Sequence, residues 1–333
     1  MNKTAIISGV TGQDGSYLAE LLLDSGYTVV GLYRRSSISN FERINHIRNK
    51  NLLLEEFDLT DPSSCIYIIN KYRPNEFYNL AAQSHVGTSF NQPTTTFEID
   101  TIGVINLLES IRKFSPHTKF YQASTSEMFG ANYSVDASGN KYQDEETKFL
   151  PQSPYAVAKM ASHRMIQIYR EAYNIYACSG ILFNHESPRR GVNFVTRKIT
   201  NFIGQVASKS PLSAPKLGLG NLSASRDWGH ARDYVYGMFL MLQQDKAEDY
   251  VLSTGETYTV QKFCEKAFSY AGLNWEDYVF IDPEFYRPCE VNYLKGNSNK
   301  ARKQLGWLPK VSFDDLVKDM VDSDIARYKN TNV

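Results

Sequence analysis

Cysteine is scarce in this chain: Cys65, Cys178, Cys264 and Cys289 are scattered through 333 residues, with no Cys-x-x-Cys among them. Neither a disulfide framework nor a zinc site fits that spacing, so the four read as reduced thiols and no metal is implied. Long apolar runs are missing as well. The stretch Ala5 to Val10 is too short for a secretion signal and runs straight into a glycine turn, and no segment approaches a membrane span. The expectation is a soluble, cytoplasmic protein with no membrane partner. Charge excess is also absent: Lys plus Arg and Asp plus Glu each number 36, so nothing points to a nucleic-acid partner. There is no internal repeat and no low-complexity tract. What remains is an ordinary globular composition, 42% apolar and 22% charged, enough for one large domain or two closely joined ones. A compact substrate is the better expectation.

Two stretches organise the chain: Ala123-Ser124-Thr125-Ser126-Glu127 and Ser153-Pro154-Tyr155-Ala156-Val157-Ala158-Lys159. Ser153 reads as a helix N-cap and Pro154 as the first helical residue, where a missing N–H costs nothing. On that helix Tyr155 and Lys159, four apart, share a face, so the ammonium can lie near the phenol. A nearby cation favours phenolate, and this spacing predicts a Tyr pKa lowered from about 10 toward neutrality, suited to acid/base work. The apolar run Phe120 to Ala123 reads as a strand, and extending it places Thr125 and Glu127, two apart, on one face. A hydroxyl and a carboxylate then point at one site.

The N-terminus supplies a second signal. An apolar run from Lys3 ends at Gly9-Val10-Thr11-Gly12-Gln13-Asp14-Gly15, followed by an amphipathic helix from about Ser16 to Ser25. Strand, glycine turn and helix in that order make a phosphate cradle, because the backbone can approach a pyrophosphate and the helix start offers free N–H groups. Tyr27 to Tyr33 reads as the second strand, and its end selects the cofactor. An acidic residue there would hold a ribose 2′-hydroxyl; Arg34-Arg35-Ser36-Ser37 stands instead, suiting a 2′-phosphate and favouring NADP over NAD. The alternatives for this basic turn are a solvated surface or a subunit contact.

Further strands are expected at 51–58, ending in Asp58-Leu59, at 76–82, ending in Leu80-Ala81-Ala82-Gln83-Ser84-His85, at 120–125 and at 175–183. His85 reads as a structural or binding residue. Helices are expected at Asp61-Pro62 onward, over the whole of 93–114, and from Pro154; 131–150 reads as an irregular polar segment that closes over the site. The alternation gives an α/β fold, a doubly wound parallel sheet of Rossmann type. Beyond Phe183 the rhythm changes to a basic helix at 193–207, a Ser- and Pro-rich loop at 208–215, and helices at 233–244, 259–271 and 312–328, the last with Ser312 and Asp315 as a capping pair. This C-terminal third reads as a smaller domain covering the nucleotide. The expected division is a Rossmann domain at 1–183, with a returning segment about 225–256, and a substrate domain at 184–224 and 257–333.

Seven blocks in order, Gly-Val-Thr-Gly-Gln-Asp-Gly-Ser-Tyr-Leu, Arg-Arg-Ser-Ser, Gln-Ala-Ser-Thr-Ser-Glu, Ser-Pro-Tyr-Ala-Val-Ala-Lys, Phe-Asn-His-Glu-Ser-Pro-Arg-Arg-Gly, Phe-Val-Thr-Arg-Lys-Ile and Arg-Asp-Trp-Gly-His-Ala, closely resemble the GDP-mannose 4,6-dehydratase family of extended short-chain dehydrogenase/reductases. The resemblance implies tightly held NADP, GDP-mannose as substrate and a 4-keto-6-deoxy product that feeds deoxyhexose synthesis. It implies Tyr155 as the base toward the sugar 4-hydroxyl, Thr125 on that oxygen, Lys159 as the tuning cation on the nicotinamide ribose, and Glu127 as the carboxylate that takes the C5 proton and serves the departing water. Carried over by motif, Gly9, Val10, Thr11, Gly12, Gln13, Asp14, Arg34, Arg35, Ser36, Ser37, Asp58, Leu59, Leu80, Ala81, Ala82, Gln83, Ser84, His185 and Arg190 fall in the NADP blocks. Asn184, Glu186, Lys198, Arg226, Arg287 and Glu290 fall where the family binds the GDP-sugar, and Lys198 with Arg226 suits a diphosphate clamp. One departure is visible: a Tyr that the family places near Pro93 is replaced by the run Thr94-Thr95-Thr96, Thr95 being the nearest match. The family also implies a homo-oligomer, dimer or tetramer, through the Arg-Arg loop. Three readings stay open: the 4,6-dehydratase on GDP-mannose; a relative acting on GDP-manno-heptose, or as a GDP-sugar 4-reductase or epimerase; and a non-catalytic NADP-binding protein. Glu127 argues against a plain reductase, which has no use for it.

Overall fold

The structure, a computed structural model, describes residues 3–208 and 216–331. The loop expected at 208–215 therefore lies, from 209 on, outside the described residues. The first half alternates strand and helix: β1 (Thr4–Ser8), α1 (Gln13–Asp24), β2 (Thr28–Tyr33), β3 (Leu52–Glu56), α2 (Pro62–Tyr72), β4 (Glu76–Asn79), short α3 (Val86–Asn91) and α4 (Pro93–Phe97), a π turn at Glu98–Ile102, α5 (Gly103–Phe114), and β5 (Lys119–Thr125). A 3-10 turn at Ser126–Phe129 and a two-residue hairpin, β6 (Ser134–Val135) with β7 (Lys141–Tyr142), follow; the rest of the polar segment is irregular. Then come α6 (Pro154–Tyr173), β8 (Ala177–Leu182), β9 (Asn184–Glu186), α7 (Val195–Ser208), β10 (Leu217–Leu219), β11 (Ser225–Arg226), β12 (Trp228–His230), α8 (Ala231–Leu242), β13 (Tyr250–Leu252), β14 (Tyr258–Thr259), α9 (Val260–Tyr270), β15 (Val279–Ile281), α10 (Asn299–Leu305) and α11 (Phe313–Thr331).

Seven strands form one sheet in the order β13-β8-β5-β4-β1-β2-β3, every pairing parallel. The order reverses at β1, which lies between β4 and β2, so the crossovers on its two sides diverge and leave a crevice at the strand C-termini. Both faces are covered. Ala5, Ile7, Leu18, Leu22, Tyr234 and Met238 pack between the sheet, α1 and α8, while Ile6, Phe77, Leu107, Phe120 and Ile166 pack between the other face, α2, α5 and α6. A third apolar cluster, with Ile199, Phe202, Trp228, Phe263, Phe268 and Leu316, binds α7, α9 and α11 into a lobe facing the crevice.

Several expectations are corrected in detail. The first helix begins at Gln13 rather than Ser16, because Gln13 and Asp14 can form its first turn directly from the glycine. The helix expected over 93–114 is interrupted by the π turn at Glu98–Ile102. Within the segment expected at about 225–256 the sequence shows no strand at β13, whose three residues are too few to show a period, nor does it mark α10 after it. The caps at Asp61 and Ser153 and the Ser312–Asp315 pair form as read, with Ser63 N, Ala156 N and Asp315 N donating to their side-chain oxygens.

Candidate active site

The crevice at the sheet's C-terminal edge is a cleft of about 1430 Å³, and most of the residues singled out from the sequence line it. Its floor is the glycine turn. Gly9 takes φ +71°, and a Cβ there would meet Ala81 N at 3.1 Å; a Cβ at Gly15 would come within 2.7 Å of Val10 Cα. These glycines are therefore required by the close approach of turn, helix and β4 loop. Gly9 N and Val10 N both donate to Leu32 O, and Ser8 Oγ accepts from Leu80 N and Ala81 N, each at 3.1 Å, which fixes the two loops that leave β1 and β4. Gly9, Thr11, Gly12, Gln13 and Asp14 face the cleft; Val10 is fully buried beneath it instead. The turn's unused helix-start amides and the absence of side-chain bulk fit the diphosphate of a dinucleotide.

Asp14 and His185 meet in this floor, Nε2 to Oδ2 at 2.7 Å, with His185 stacked on Tyr234. Burial works against both charges, but each supplies the other's counter-charge, so the carboxyl is held below its ordinary range and the imidazole above. Gln13 joins them, its amide donating to His185 O and accepting from Ser187 Oγ. At the far end Asp58, Leu59 and Arg34 line the cleft. Asp58 is turned back into its own loop, accepting from Thr60 N and Oγ1. Arg35, Ser36 and Ser37 are exposed and do not line the cleft; Asn40, which the sequence did not single out, does. Leu80, Ala81, Ala82, Gln83, Ser84 and Thr95 form the wall below β4. His85 caps α3, accepting from Thr88 N at 3.1 Å, and lies edge-on to Phe194, a structural and wall role.

The centre of the cleft holds Thr125, Glu127, Tyr155 and Lys159, all at most 9% exposed. The strand ends at Thr125, so the alternation argument for Glu127 does not hold. Glu127 instead enters through the 3-10 turn, whose first amide is capped by Thr125: Glu127 N donates to Oγ1 at 3.2 Å. Lys159 Nζ lies 6.0 Å from the Tyr155 ring centroid. The phenol pKa, however, is pushed up rather than down. Burial is the main cause, Asp100 adds to it, and the Thr125 hydroxyl opposes it. Burial also lowers Lys159, with Asp100 supporting its charge. The low phenol pKa expected from spacing is thus reversed, because desolvation and the neighbouring carboxylates outweigh the Thr125 hydroxyl and Arg190.

Facing this centre are side chains from the lobe. Arg226, from β11, is buried and donates to Glu290 Oε1 at 3.3 Å. Arg287 Nη1 stands 3.5 Å from Glu127 Oε1 and 4.0 Å from Glu290 Oε1. Lys198, on α7, lies 3.9 Å above the Phe285 ring, and burial lowers its pKa. Asn184 and Glu186 sit on β9; Glu186 accepts from Thr196 Oγ1 at 2.7 Å and pairs with Arg190 Nε at 3.1 Å. Asp100, Asn40, Phe194 and Phe285 are neighbours of the site that sequence reasoning missed. No group of three or more metal-ligating side chains occurs among the described residues.

A family model described as GDP-mannose 4,6 dehydratase matches residues 6–320. The chain belongs to the GDP-mannose 4,6-dehydratase family. It is 51% identical to GDP-mannose 4,6 dehydratase 1 of Arabidopsis thaliana, covering 99% of this chain and 92% of that one. The Homo sapiens and Vibrio cholerae family members are 45% and 44% identical, covering 96% and 98% of this chain and 91% and 95% of theirs. Solved structures share the fold: dTDP-glucose 4,6-dehydratase of Bacillus anthracis in complex with NAD (TM-score 0.81, 21% identity, 96% of each chain) and RMD of Pseudomonas aeruginosa complexed with NADPH (0.78, 21%, 98% of this chain and 100% of that one).

Proposed function

We propose that this member of the family is a hydro-lyase that converts GDP-mannose into GDP-4-keto-6-deoxymannose and water, with NADP as a bound, recycled cofactor. The observation that carries this reading is the carboxylate of Glu127 in the same cleft as Tyr155 and Thr125, since a simple reductase or epimerase has no step for it. Tyr155 takes the proton of the sugar 4-hydroxyl, with Thr125 hydrogen-bonding that oxygen and Lys159 lying beneath. What a bound nicotinamide dinucleotide supplies is acceptance of the C4 hydride and its return at C6. A 4-ketone makes the C5 proton acidic; Glu127 removes it and delivers a proton to the departing C6 hydroxyl, and once C6 has its hydride the enolate takes a proton back at C5, balancing the one Tyr155 took from the 4-hydroxyl. Lys198, Arg226 and Arg287 hold the GDP diphosphate, with Asn184, Glu186 and Glu290 orienting the nucleotide sugar. Gly9 through Asp14, the loops at Asp58 and Leu80–Ser84, His185 and Arg190 hold the dinucleotide. Arg34, which lines the cleft, meets the 2′-phosphate, and Arg35 beside it adds its charge from the exposed turn.

In this reading residues 1–183, with 225–256, form the dinucleotide domain; 184–224 and 257–333 take the nucleotide sugar. The protein acts in the cytoplasm as a homo-oligomer, either dimer or tetramer. Among the described residues no helix is long and apolar enough to cross a membrane. The test is incubation of purified protein with GDP-mannose and no added nicotinamide, followed by NMR and absorbance at 340 nm. A C6 methyl and a 4-keto carbon with no net absorbance change are expected. Conversion only with stoichiometric NADPH makes the protein a reductase, and no conversion even with added NADP⁺ overturns the substrate.

A further inference from the structure

Asp100 stands behind the Tyr155–Lys159 pair, and nothing in the sequence marked it. It is 1% exposed and lies in the middle of the π turn that interrupts the helical run from Pro93 to Phe114. Such turns cost regular hydrogen bonding and collect at functional sites. Two contacts fix this one in place, and a third braces the loop it holds. Asp100 Oδ1 accepts from Gln83 N at 2.8 Å, tying it to the loop that lines the dinucleotide side of the cleft. Next door, Thr101 Oγ1 donates at 2.9 Å to Ala158 O, the carbonyl just before Lys159, and Gln83 Nε2 donates to Thr96 Oγ1 at 3.1 Å. Asp100 Oδ2 is buried and has no hydrogen-bond partner among the described residues. A buried carboxylate oxygen left without a donor is costly, and a purely structural position would be occupied more stably by a neutral or apolar side chain.

The charges around it explain what it does. The opposing charge that acts on Asp100 is Lys159, and the charge that supports the buried Lys159 ammonium is Asp100. Burial lifts the carboxyl to about 6, against the pull of Lys159 and Gln83 N, so it changes charge close to the range in which enzymes work. Its negative charge also opposes ionisation of Tyr155, as does that of Glu127 from the 3-10 turn, while Arg190 favours it. Tyr155 and Lys159 are the titratable groups that face it from α6, which packs on the π turn.

We propose that Asp100 is a positioning residue for the acid/base pair: its charge, held in the π turn, keeps Lys159 cationic and sets the pH range in which Tyr155 accepts a proton. The proposal rests on the reading of Tyr155 as the base. Removing the charge relieves the phenol of a neighbouring anion and the ammonium of its supporting one, so both groups lose protons more readily. The test is Asp100→Asn, whose amide oxygen keeps the bond from Gln83 N. Two measurements are made on the NADP-loaded protein. Tyrosinate absorbance near 295 nm is titrated against the corresponding Tyr155→Phe protein, which isolates Tyr155 without reference to any substrate. The pH profile of kcat/KM with GDP-mannose is recorded alongside. A neighbouring charge in a buried setting moves a pKa by about one unit, so the Tyr155 titration and both limbs of the profile are expected about one pH unit lower in Asp100→Asn. Asp100→Glu should bring them back toward the wild-type position.

A variant with reduced turnover but an unmoved Tyr155 titration overturns the proposal and leaves Asp100 a structural residue. If the amide is not tolerated, Asp100→Ser removes the same charge with less bulk. Failure of both neutral variants to fold likewise makes the carboxylate structural. A tyrosinate shift in a protein that does not act on GDP-mannose would uphold this proposal while sinking the substrate assignment.

Discussion

Along the sheet wall of the cleft, the loops that face a ligand are fixed through their backbone amides: Gly9 N donates to Leu32 O, and Leu80 N and Ala81 N donate to the buried Ser8 hydroxyl. Along the lobe wall they are held by charge: Arg226 on Glu290 and Arg287 beside Glu127. The first arrangement is complete before any ligand arrives and excludes side-chain bulk. The second consists of cations paired with carboxylates, which, on the function proposed above, the diphosphate of a nucleotide sugar would displace or join. A preformed wall suits a cofactor that stays bound; an exchangeable wall suits a substrate that comes and goes.

Four experiments break or sharpen that contrast. The largest expected effect is Glu127→Gln. Losing a positioned proton-transfer group costs about 10²–10⁴-fold, seen as loss of C6-methyl formation by NMR, while dinucleotide affinity measured by fluorescence titration stays as it was. Asp324→Asn tests how the lobe wall is anchored. Asp324 pairs with Arg197 at 2.7 Å and both are buried, and Arg197 Nη1 also donates to Arg190 O. Breaking a buried pair costs about 3–5 kcal/mol, so the urea midpoint should fall markedly and KM for GDP-mannose should rise. An unchanged midpoint would show that α11 does not secure the wall. Third, Arg34→Asp should weaken NADP relative to NAD by roughly 10–100-fold, the worth of one charge-assisted hydrogen bond. Arg35→Asp should do less, because Arg34 lines the cleft and Arg35 does not. The smallest effect belongs to Thr259→Ala, which removes the cap accepting from Lys262 N at the start of α9. It should lower stability by about 1 kcal/mol and leave kcat and KM where they are.

The same contrast governs what could be read from sequence. Backbone-built features leave strong local signals: glycines at fixed spacing, Ser153-Pro154 before a helix, Asp61-Pro62 before another. Each signal acts within a few residues, so the sheet, its order of elements and the dinucleotide floor were legible. The lobe wall is assembled from Lys198, Arg226, Arg287 and Glu290, far apart in the chain, and only the family resemblance brought them together. Asp100 escaped because its apolar neighbours keep a helical period through the π turn, so it looks like one solvated residue on an ordinary helix. The Tyr155 phenol was misjudged for a related reason. Spacing places a cation nearby, but it carries no information about depth, and depth sets the larger effect. The Arg-Arg-Ser-Ser turn reads as suiting a 2′-phosphate, with a solvated surface or a subunit contact as alternatives; strand β2 ends at Tyr33 and, of the four, Arg34 alone lines the cleft.

Three of the four thiols, Cys65, Cys178 and Cys264, are fully buried, and burial pushes each well above the ordinary thiol range; Cys289 is exposed. It lies between Pro288 and Glu290, both of which line the cleft, while Cys289 itself faces away from the lining. An alkylating fluorophore added to the unmodified protein should therefore attach at a single place. No cysteine need be removed or introduced for the dye to report when the lobe wall gives up its carboxylates to an incoming diphosphate.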